Sequence, residues 1–354
     1  MMQIKSALKN YEIEFWKEGK SLIEELSQIP NSFWVIDQKV YDLHRNEQFD
    51  ILDESKLFIF DALETNKCLD TALEICEKMT ELPGKRNATL ISVGGGITQD
   101  VTGFAANILY RGIHWVFIPT TLLAACDSCI GGKTSLNYKS YKNLLGTFFP
   151  PEKINIVPNM FETLSEKDFL SGLGEVVKFN IMAGAGTLAQ IEEDMPKLLN
   201  RDAKIVERYV HTSLEFKKTF IEIDEFDQGE RIKLNFAHTF GHAFETLSKY
   251  DIPHGTAVAM GMIVANRISH KRNWINEERM LKMEDLLKQI IKVDLSCING
   301  DDEILLGAIK KDKKQVGTST TAVLMHNDMS LEVVRDVTSD EILEAIEEMK
   351  KVIA

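Results

Sequence analysis

The sequence predicts an α/β protein in two parts, a doubly wound parallel sheet over residues 1–157 and a mostly α-helical domain over residues 158–354. Three observations predict it. Short apolar runs alternate with helical stretches in the first half, as strands and crossover helices of a parallel sheet do. A run of three glycines follows one apolar segment directly and opens a helical pattern. From Pro158 onward, long amphipathic stretches replace the short runs.

The elements follow in order. Phe33–Asp37, Leu57–Asp61, Thr89–Val93 and Trp115–Ile118 read as buried strands, and Ala72–Leu82 reads as a helix between two of them. Val101–Tyr110 continues the helix that the glycines open. Ser165 and Asp168 match a capping box and start a helix running through Glu175 toward Met182. Amphipathic stretches cover 188–222, 234–250, 255–270 and 277–291, and Val323–Val334, around His326–Met329, reads as a small hairpin. No internal repeat, low-complexity segment or Pro/Gly/Ser linker interrupts the pattern.

Composition narrows the function. With 354 residues, 44% hydrophobic and 27% charged, the chain has the make-up of a globular protein with a substantial core. Its apolar runs are too short to span a bilayer, and Met1–Asn10 lacks the apolar core of a secretory signal. Five cysteines (68, 76, 126, 129 and 297) in no framework spacing point to free thiols in a reducing cytoplasm. A net charge of −13 argues against general nucleic-acid binding, which needs basic surface. It leaves room for a small anionic ligand, because charges are screened over about 8–10 Å and a local cationic cleft can dominate.

Three groups of residues carry candidate chemistry. Gly94–Gly96 with Ile97, Thr98, Gln99 and Asp100 form a strand-to-helix turn suited to phosphate, though a ligand-free tight turn explains the same glycines. His238 and His242 share a helical face, and His254 and Glu175 lie in other segments. Imidazoles with one carboxylate make a catalytic zinc set, whereas a solvated histidine pair is the plainer reading. Lys133, Lys142, Lys178, Lys217 and Arg231 are candidate partners for phosphate and carboxylate. Lys178 follows Glu175 by three residues, the spacing of an ordinary surface ion pair. Cys126 and Cys129 lack a second cysteine pair to complete a zinc site and read as structural, which leaves Asp127 between them as the residue of interest.

Together these segments resemble the 3-dehydroquinate synthase family over residues 30–335. The similarity rests on Gly94–Asp100, Arg111-Gly112, Pro119–Ala124, Asp127-Ser128, Gly131–Thr134, Lys142-Asn143, Gly172–Lys178, Asn235–His242 and Asp312–Lys314, in that order and spacing. The resemblance implies a Rossmann-like NAD domain, an α-helical metal domain, an active site between them and a homodimer. It implies metal ligands at Glu175, His238 and His254, binding zinc or cobalt. Catalytic positions fall on Lys178, His242, Asp127 and Asn143. Substrate contacts fall on Lys133, Asn143, Lys217, Arg231, Asn235 and Lys313, with Arg111 reaching the neighbouring subunit's phosphate. NAD contacts fall on Asp37, Glu64, Lys67, Gly95, Gly96, Asp100, Thr120, Thr121, Lys142 and Thr163. The implied reaction converts 3-deoxy-D-arabino-heptulosonate 7-phosphate to 3-dehydroquinate and phosphate through transient oxidation, β-elimination, reduction and internal aldol closure.

Four positions depart from the family pattern. Gln99 replaces a glycine and is expected to crowd the phosphate turn. Thr256 stands in place of a glutamate, Lys39 in place of an asparagine after Asp37, and Ser165 in place of a proline. A related cyclase acting on sedoheptulose 7-phosphate, glucose 6-phosphate or a modified heptulosonate is the alternative; the first two substrates lack the carboxylate that Lys217 and Arg231 are expected to hold. A polyol dehydrogenase would use Asp and His metal ligands without the Glu175/Lys178 pair. A non-catalytic binding protein would not need the metal, phosphate and NAD positions together.

Overall fold

The computed structural model describes residues 1–82, 85–139, 141–298, 302–310 and 320–354. Clustering by proximity divides the chain into two compact units, Met1–Leu164 and Ser165–Ala354. The short segment after residue 157 stays with the first unit, because Val157 and Met160 pack into its core. Among the described residues, no helix is long and apolar enough to cross a membrane.

In chain order the first unit contains β1 (Met2–Ile4), β2 (Tyr11–Phe15), α1 (Gly19–Ser27), β3 (Ser32–Asp37), α2 (Gln38–His44), β4 (Leu57–Phe60), α3 (Leu69–Glu81), β5 (Thr89–Gly94), α4 (Gly96–Ile108), β6 (His114–Pro119), β7 (Lys133–Tyr138), β8 (Tyr141–Phe148) and β9 (Lys153–Ile156). Seven strands form one sheet in the order β1-β2-β9-β6-β5-β3-β4. Only β1 runs antiparallel to its neighbour. The central strands β3, β5 and β6 are almost wholly buried, which is why they read as mostly apolar runs rather than alternating ones. Trp34, Ile36, Ile91, Val93, Val116 and Ile118 point to one face, where Leu22, Ile23 and Leu26 of α1 cover them. The chain leaves β3 for β4 on one side and returns to β5 on the other. That reversal makes a crevice outside the carboxyl ends of β3 and β5, the usual ligand position in such sheets.

The second unit contains α5 (Glu166–Met182), α6 (Ala185–Leu199), α7 (Ala203–Ile223), α8 (His238–Leu247), α9 (His254–Lys271), α10 (Glu277–Lys288), α11 (Asp302–Lys310), the hairpin β10 (Thr320–Met325) and β11 (Leu331–Val337), and α12 (Ser339–Ile353). The Ser165 hydroxyl accepts from the Asp168 N–H at 3.1 Å, so the expected cap does open α5. Helices α5 and α9 are buried around most of their circumference and form the centre of the unit. Glycines set how closely they meet. A Cβ on Gly174 would lie 2.0 Å from the Gly255 carbonyl oxygen, and one on Gly255 would lie 1.8 Å from the Ser171 carbonyl oxygen. A Cβ on Gly261 of α9 would lie 2.4 Å from the Ala237 carbonyl oxygen, just before α8.

Two expected elements are broken by backbone geometry that periodicity does not encode. The stretch 188–222 is two helices. Arg201 takes φ 56°, and the Asp202 carboxylate caps α7 by accepting from the N–H groups of Lys204 and Ile205. The stretch 234–250 is also divided. Glu230–Asn235 is a 3₁₀ turn, Ala237 takes φ 71°, and α8 starts only at His238. Arg231 therefore does not share a continuous helical face with Asn235 and His238. The hairpin β7–β8 and strands β1, β2 and β9 carry no strong sequence pattern and were not anticipated.

The glycine contacts yield a prediction. Gly255→Ala must separate α5 from α9, so unfolding free energy should fall by about 3 kcal/mol or more, measured by denaturant unfolding. A change below about 1 kcal/mol, within what an ordinary substitution costs, would mean that the helices can part cheaply.

Candidate active site

The second unit brings Glu175, His238 and His254 together. Glu175 sits on α5 with no exposed surface, and its Oε1 lies 3.5 Å from His238 Nε2 and 3.3 Å from His254 Nε2. The three ligand atoms lie within 4.8 Å of one another. Each imidazole is oriented from behind. His238 Nδ1 lies 3.0 Å from the Phe236 carbonyl oxygen, so it carries the proton and leaves Nε2 as the basic nitrogen facing Glu175. His254 Nδ1 lies 3.0 Å from Glu245 Oε2. Two imidazoles and a carboxylate, with outward nitrogens held by a carbonyl and a second carboxylate, fit a divalent cation with open positions.

Glu245 was missed at the level of sequence. Its only signal was its place on α8, seven residues after His238 and three after His242. Thr256 stands where the family pattern has a glutamate, and Glu245 supplies a carboxylate to His254 from another helix. His242 itself stands close by, with ring centroids 5.4 Å from His238 and 5.8 Å from His254. Burial disfavours charge on His254, but the carboxylates of Glu245 and Glu175 outweigh it and push its pKa up to about 10. That excess of negative groups is what a bound cation would neutralise.

Lys178, one turn after Glu175, is buried rather than a surface partner. Its Nζ lies 2.5 Å from Glu175 Oε2, donates to the Leu234 carbonyl at 3.1 Å and stands 4.4 Å over the Phe179 ring. A buried pair of this kind is costly to break, at about 3–5 kcal/mol. The Leu234 contact ties Lys178 to the 3₁₀ turn that carries Arg231 and Asn235. Arg231 is buried, its guanidinium donates to the Glu225 carbonyl and its N–H donates to Asp224 at 3.1 Å. Asn235 donates from its amide to the Ile232 carbonyl, and Lys217 is buried on α7. Lys313 lies outside the described residues.

In the first unit, Asp37, Gly95, Gly96, Thr120 and Thr121 all stand at or just beyond the carboxyl ends of β3, β5 and β6. Gly95 and Gly96 are half-exposed at the N-terminus of α4, and a Cβ on Gly95 would press on Thr121 at 3.1 Å. Open amides at a helix N-terminus beside that crevice fit a pyrophosphate. Asp37 caps α2 by accepting from the Lys39 N–H at 3.1 Å, and burial raises its pKa.

A second group joins Lys67, Asp100, Asn143, Glu64 and Lys142. Lys67 Nζ lies 2.5 Å from Asp100 Oδ2 and 2.6 Å from Asn143 Oδ1, while Lys142 lies 3.5 Å from Glu64. Burial raises the Asp100 pKa while Lys67 and Ser135 counter it. The remaining residues are placed by their own elements. Lys133 opens β7 on the exposed side, Arg111 is exposed with φ 68°, Asp127 lies in a π-helical turn over Ala124–Ser128, and Thr163 donates to the Met160 carbonyl at 3.2 Å. Gln99 does not crowd the glycine turn. Its amide is buried, donating to the Ser128 carbonyl and accepting from the Ser128 hydroxyl, each at 2.7 Å. Cys126 and Cys129 are buried, each with its sulfur near a backbone carbonyl one turn earlier.

This architecture is shared with solved structures of two synthases. One is 2-deoxy-scyllo-inosose synthase complexed with carbaglucose-6-phosphate, NAD+ and Co2+, with a TM-score of 0.86 at 24% identity, covering 98% of this chain and 99% of that one. Another is 2-epi-5-epi-valiolone synthase from Streptomyces hygroscopicus subsp. jinggangensis with NAD+ and Zn2+ bound, with a TM-score of 0.85 at 24% identity over 98% and 99% of the two chains. Sequence narrows the class. The family model for the 3-dehydroquinate synthase N-terminal region matches residues 57–171, and that for the C-terminal region matches residues 172–315. A 3-dehydroquinate synthase of Clostridium tetani is 38% identical over 323 residues, spanning 89% of this chain and 85% of that protein. The chain belongs to the 3-dehydroquinate synthase family.

The Glu245–His254 bond generates a prediction. Glu245→Gln should weaken affinity for zinc or cobalt by about 10–100-fold, read by competition with a chromogenic chelator. Unaltered affinity would remove Glu245 from the support of the metal set.

Proposed function

We propose that this chain converts 3-deoxy-D-arabino-heptulosonate 7-phosphate to 3-dehydroquinate and phosphate. The observation that carries the reading is the Glu175–His238–His254 donor set, with Lys178 buried against Glu175, in a chain 38% identical to a 3-dehydroquinate synthase. Glu175, His238 and His254 would hold zinc or cobalt. Asp37, Glu64, Lys67, Gly95, Gly96, Asp100, Thr120, Thr121, Lys142 and Thr163 would hold NAD. When bound, NAD supplies a hydride acceptor that is regenerated within the turnover, and the cation supplies Lewis acidity.

The chain's own groups do the rest. His242 stands beside the donor set and would move a substrate hydroxyl proton. Lys178, beside Glu175, would favour negative charge developing on a substrate oxygen. Asp127, Asn143 and Asn235 orient the sugar, Lys133 and Lys313 attract the phosphate, and Lys217 with Arg231 hold the carboxylate. We also infer a cytoplasmic homodimer in which Arg111 serves the neighbouring subunit. This rests on the family resemblance.

The deciding experiment offers the heptulosonate phosphate, sedoheptulose 7-phosphate and glucose 6-phosphate separately, each with NAD and zinc or cobalt. Phosphate release and carbocycle formation are expected with the first alone; turnover of another substrate in its place overturns the assignment. Arg231→Met tests the carboxylate contact. It should raise the barrier with the heptulosonate by about 2–4 kcal/mol in kcat/KM. A role confined to the acidic loop before it would lower stability and leave the kinetics of the folded fraction intact.

A further inference from the structure

Gln99 joins the glycine turn to the π-helical turn that carries Asp127. On α4 its backbone N–H donates to the Gly95 carbonyl at 3.0 Å, so it closes the first turn after the glycines. Its side chain reaches the other way. Nε2 donates to the Ser128 carbonyl and Oε1 accepts from the Ser128 hydroxyl, each at 2.7 Å. A backbone carbonyl only accepts, so a single orientation of the carboxamide serves both atoms. Gln99 is buried, which makes either bond costly to leave unmade.

The turn it grips needs holding. Ala124–Ser128 is a single π turn, closed by the Cys129 N–H on the Ala124 carbonyl at 3.0 Å. Such a winding is rare and persists where its surroundings impose it. Carbonyls at the end of a helical turn lack partners within it, and Ser128 is the last residue of this one. Both ends of the segment rest on the glycine turn. At its start, Thr121 Oγ1 accepts from the Ala124 N–H at 3.2 Å, and a Cβ on Gly95 would lie 3.1 Å from the Thr121 methyl group. At its finish, a Cβ on Gly96 would lie 3.6 Å from Ser128 Oγ. Asp127 is half-buried between these supports, next to the residue that Gln99 holds. Relaxation toward α-helical winding changes the rotation per residue and would swing Asp127 away from its present direction.

We propose that Gln99 is a positioning residue that locks the π turn to α4 and thereby fixes Asp127 relative to the glycine turn. A substrate contact and the cofactor turn then belong to one rigid body. The part played by Asp127 rests on the function proposed above. A glycine at position 99, as in the family pattern, has no side chain to make this link, so the device belongs to this chain's own departure from that pattern.

Kinetics with the heptulosonate phosphate test it. Gln99→Met, of similar length but without the carboxamide, should lower kcat/KM by about tenfold. NAD affinity should stay within about twofold, because the open amides of the glycine turn are untouched. Ser128→Ala removes one of the two bonds and should cost about threefold. In an Asp127→Asn background, Gln99→Met should cost no more than about twofold further, because it acts through Asp127. A full additive loss in that background overturns the proposal. So does a Gln99→Met protein that melts earlier yet keeps the kcat/KM of its folded fraction, or one whose NAD affinity falls as far as its kcat/KM. Absence of turnover by the wild type would refute the function instead, and the positioning is then read by amide hydrogen exchange. The segment 121–130 should exchange about tenfold faster in Gln99→Met while 100–108 stays within about threefold, and unchanged exchange at 121–130 overturns the lock.

Discussion

The closest constraint in the second unit is the approach of α5 to α9. Helix axes ordinarily stand about 8–10 Å apart because side chains separate them. Here Gly174 faces the backbone of Gly255 and Gly255 that of Ser171, with room for no Cβ on either glycine. Glu175 follows Gly174 directly, and His254 precedes Gly255 directly. The contact that forbids a methyl group is thus the one that delivers a carboxylate and an imidazole to the same point. The third ligand depends on a neighbouring contact of the same type. Gly261 of α9 packs against the Ala237 carbonyl, and Ala237 immediately precedes His238.

Charge is the second organising theme. The chain carries −13 overall, yet its most buried ionic groups are mixed. Glu175 and Lys178 are both shielded from water, and such a pair holds only with good geometry and further bonds. Lys178 has them in the Leu234 carbonyl and the Phe179 ring. Elsewhere in the unit, buried carboxylates serve stability in the same manner. Asp194 accepts from Arg208, Tyr209, Lys197 and Gln190, and joins α6 to α7. Arg267 grips Glu284 from α9, fixing α10. These networks are structural; the one around Glu175 differs in gathering three imidazoles and a second carboxylate within a few ångströms.

The first unit solves a different problem with strand order. Reversal of the strand order at β3 brings Asp37 and the glycine turn to adjacent strand ends, and β6 adds Thr120 and Thr121. The π-helical turn that follows is pinned to α4 by Gln99. That residue therefore stiffens the wall of the crevice and does not fill it. The hairpin β7–β8 brings Ser135 and Asn143 to Asp100 and Lys67, and makes one polar network from residues nearly eighty positions apart.

The sequence by itself determined the fold class and the family. Buried strands such as Trp115–Ile118 read as unbroken apolar runs because a parallel sheet covers both their faces, and Ser165 and Asp168 announced α5 because capping is a local interaction. Glu175, His238 and His254 could be named because their types and spacing match a family. Other features belonged to the tertiary structure. The break at Ala237 arises because a left-handed residue there suits the packing of α8 on α9, against its own preference. Glu245 gained its place from the distance to His254, nine residues away on another helix. Gln99 was misread because its partner, Ser128, is twenty-nine residues on and only the folded sheet brings it near. Periodicity and motif spacing report what lies along one element; the partners of a buried polar group are set by which elements meet, and that is decided only when they pack.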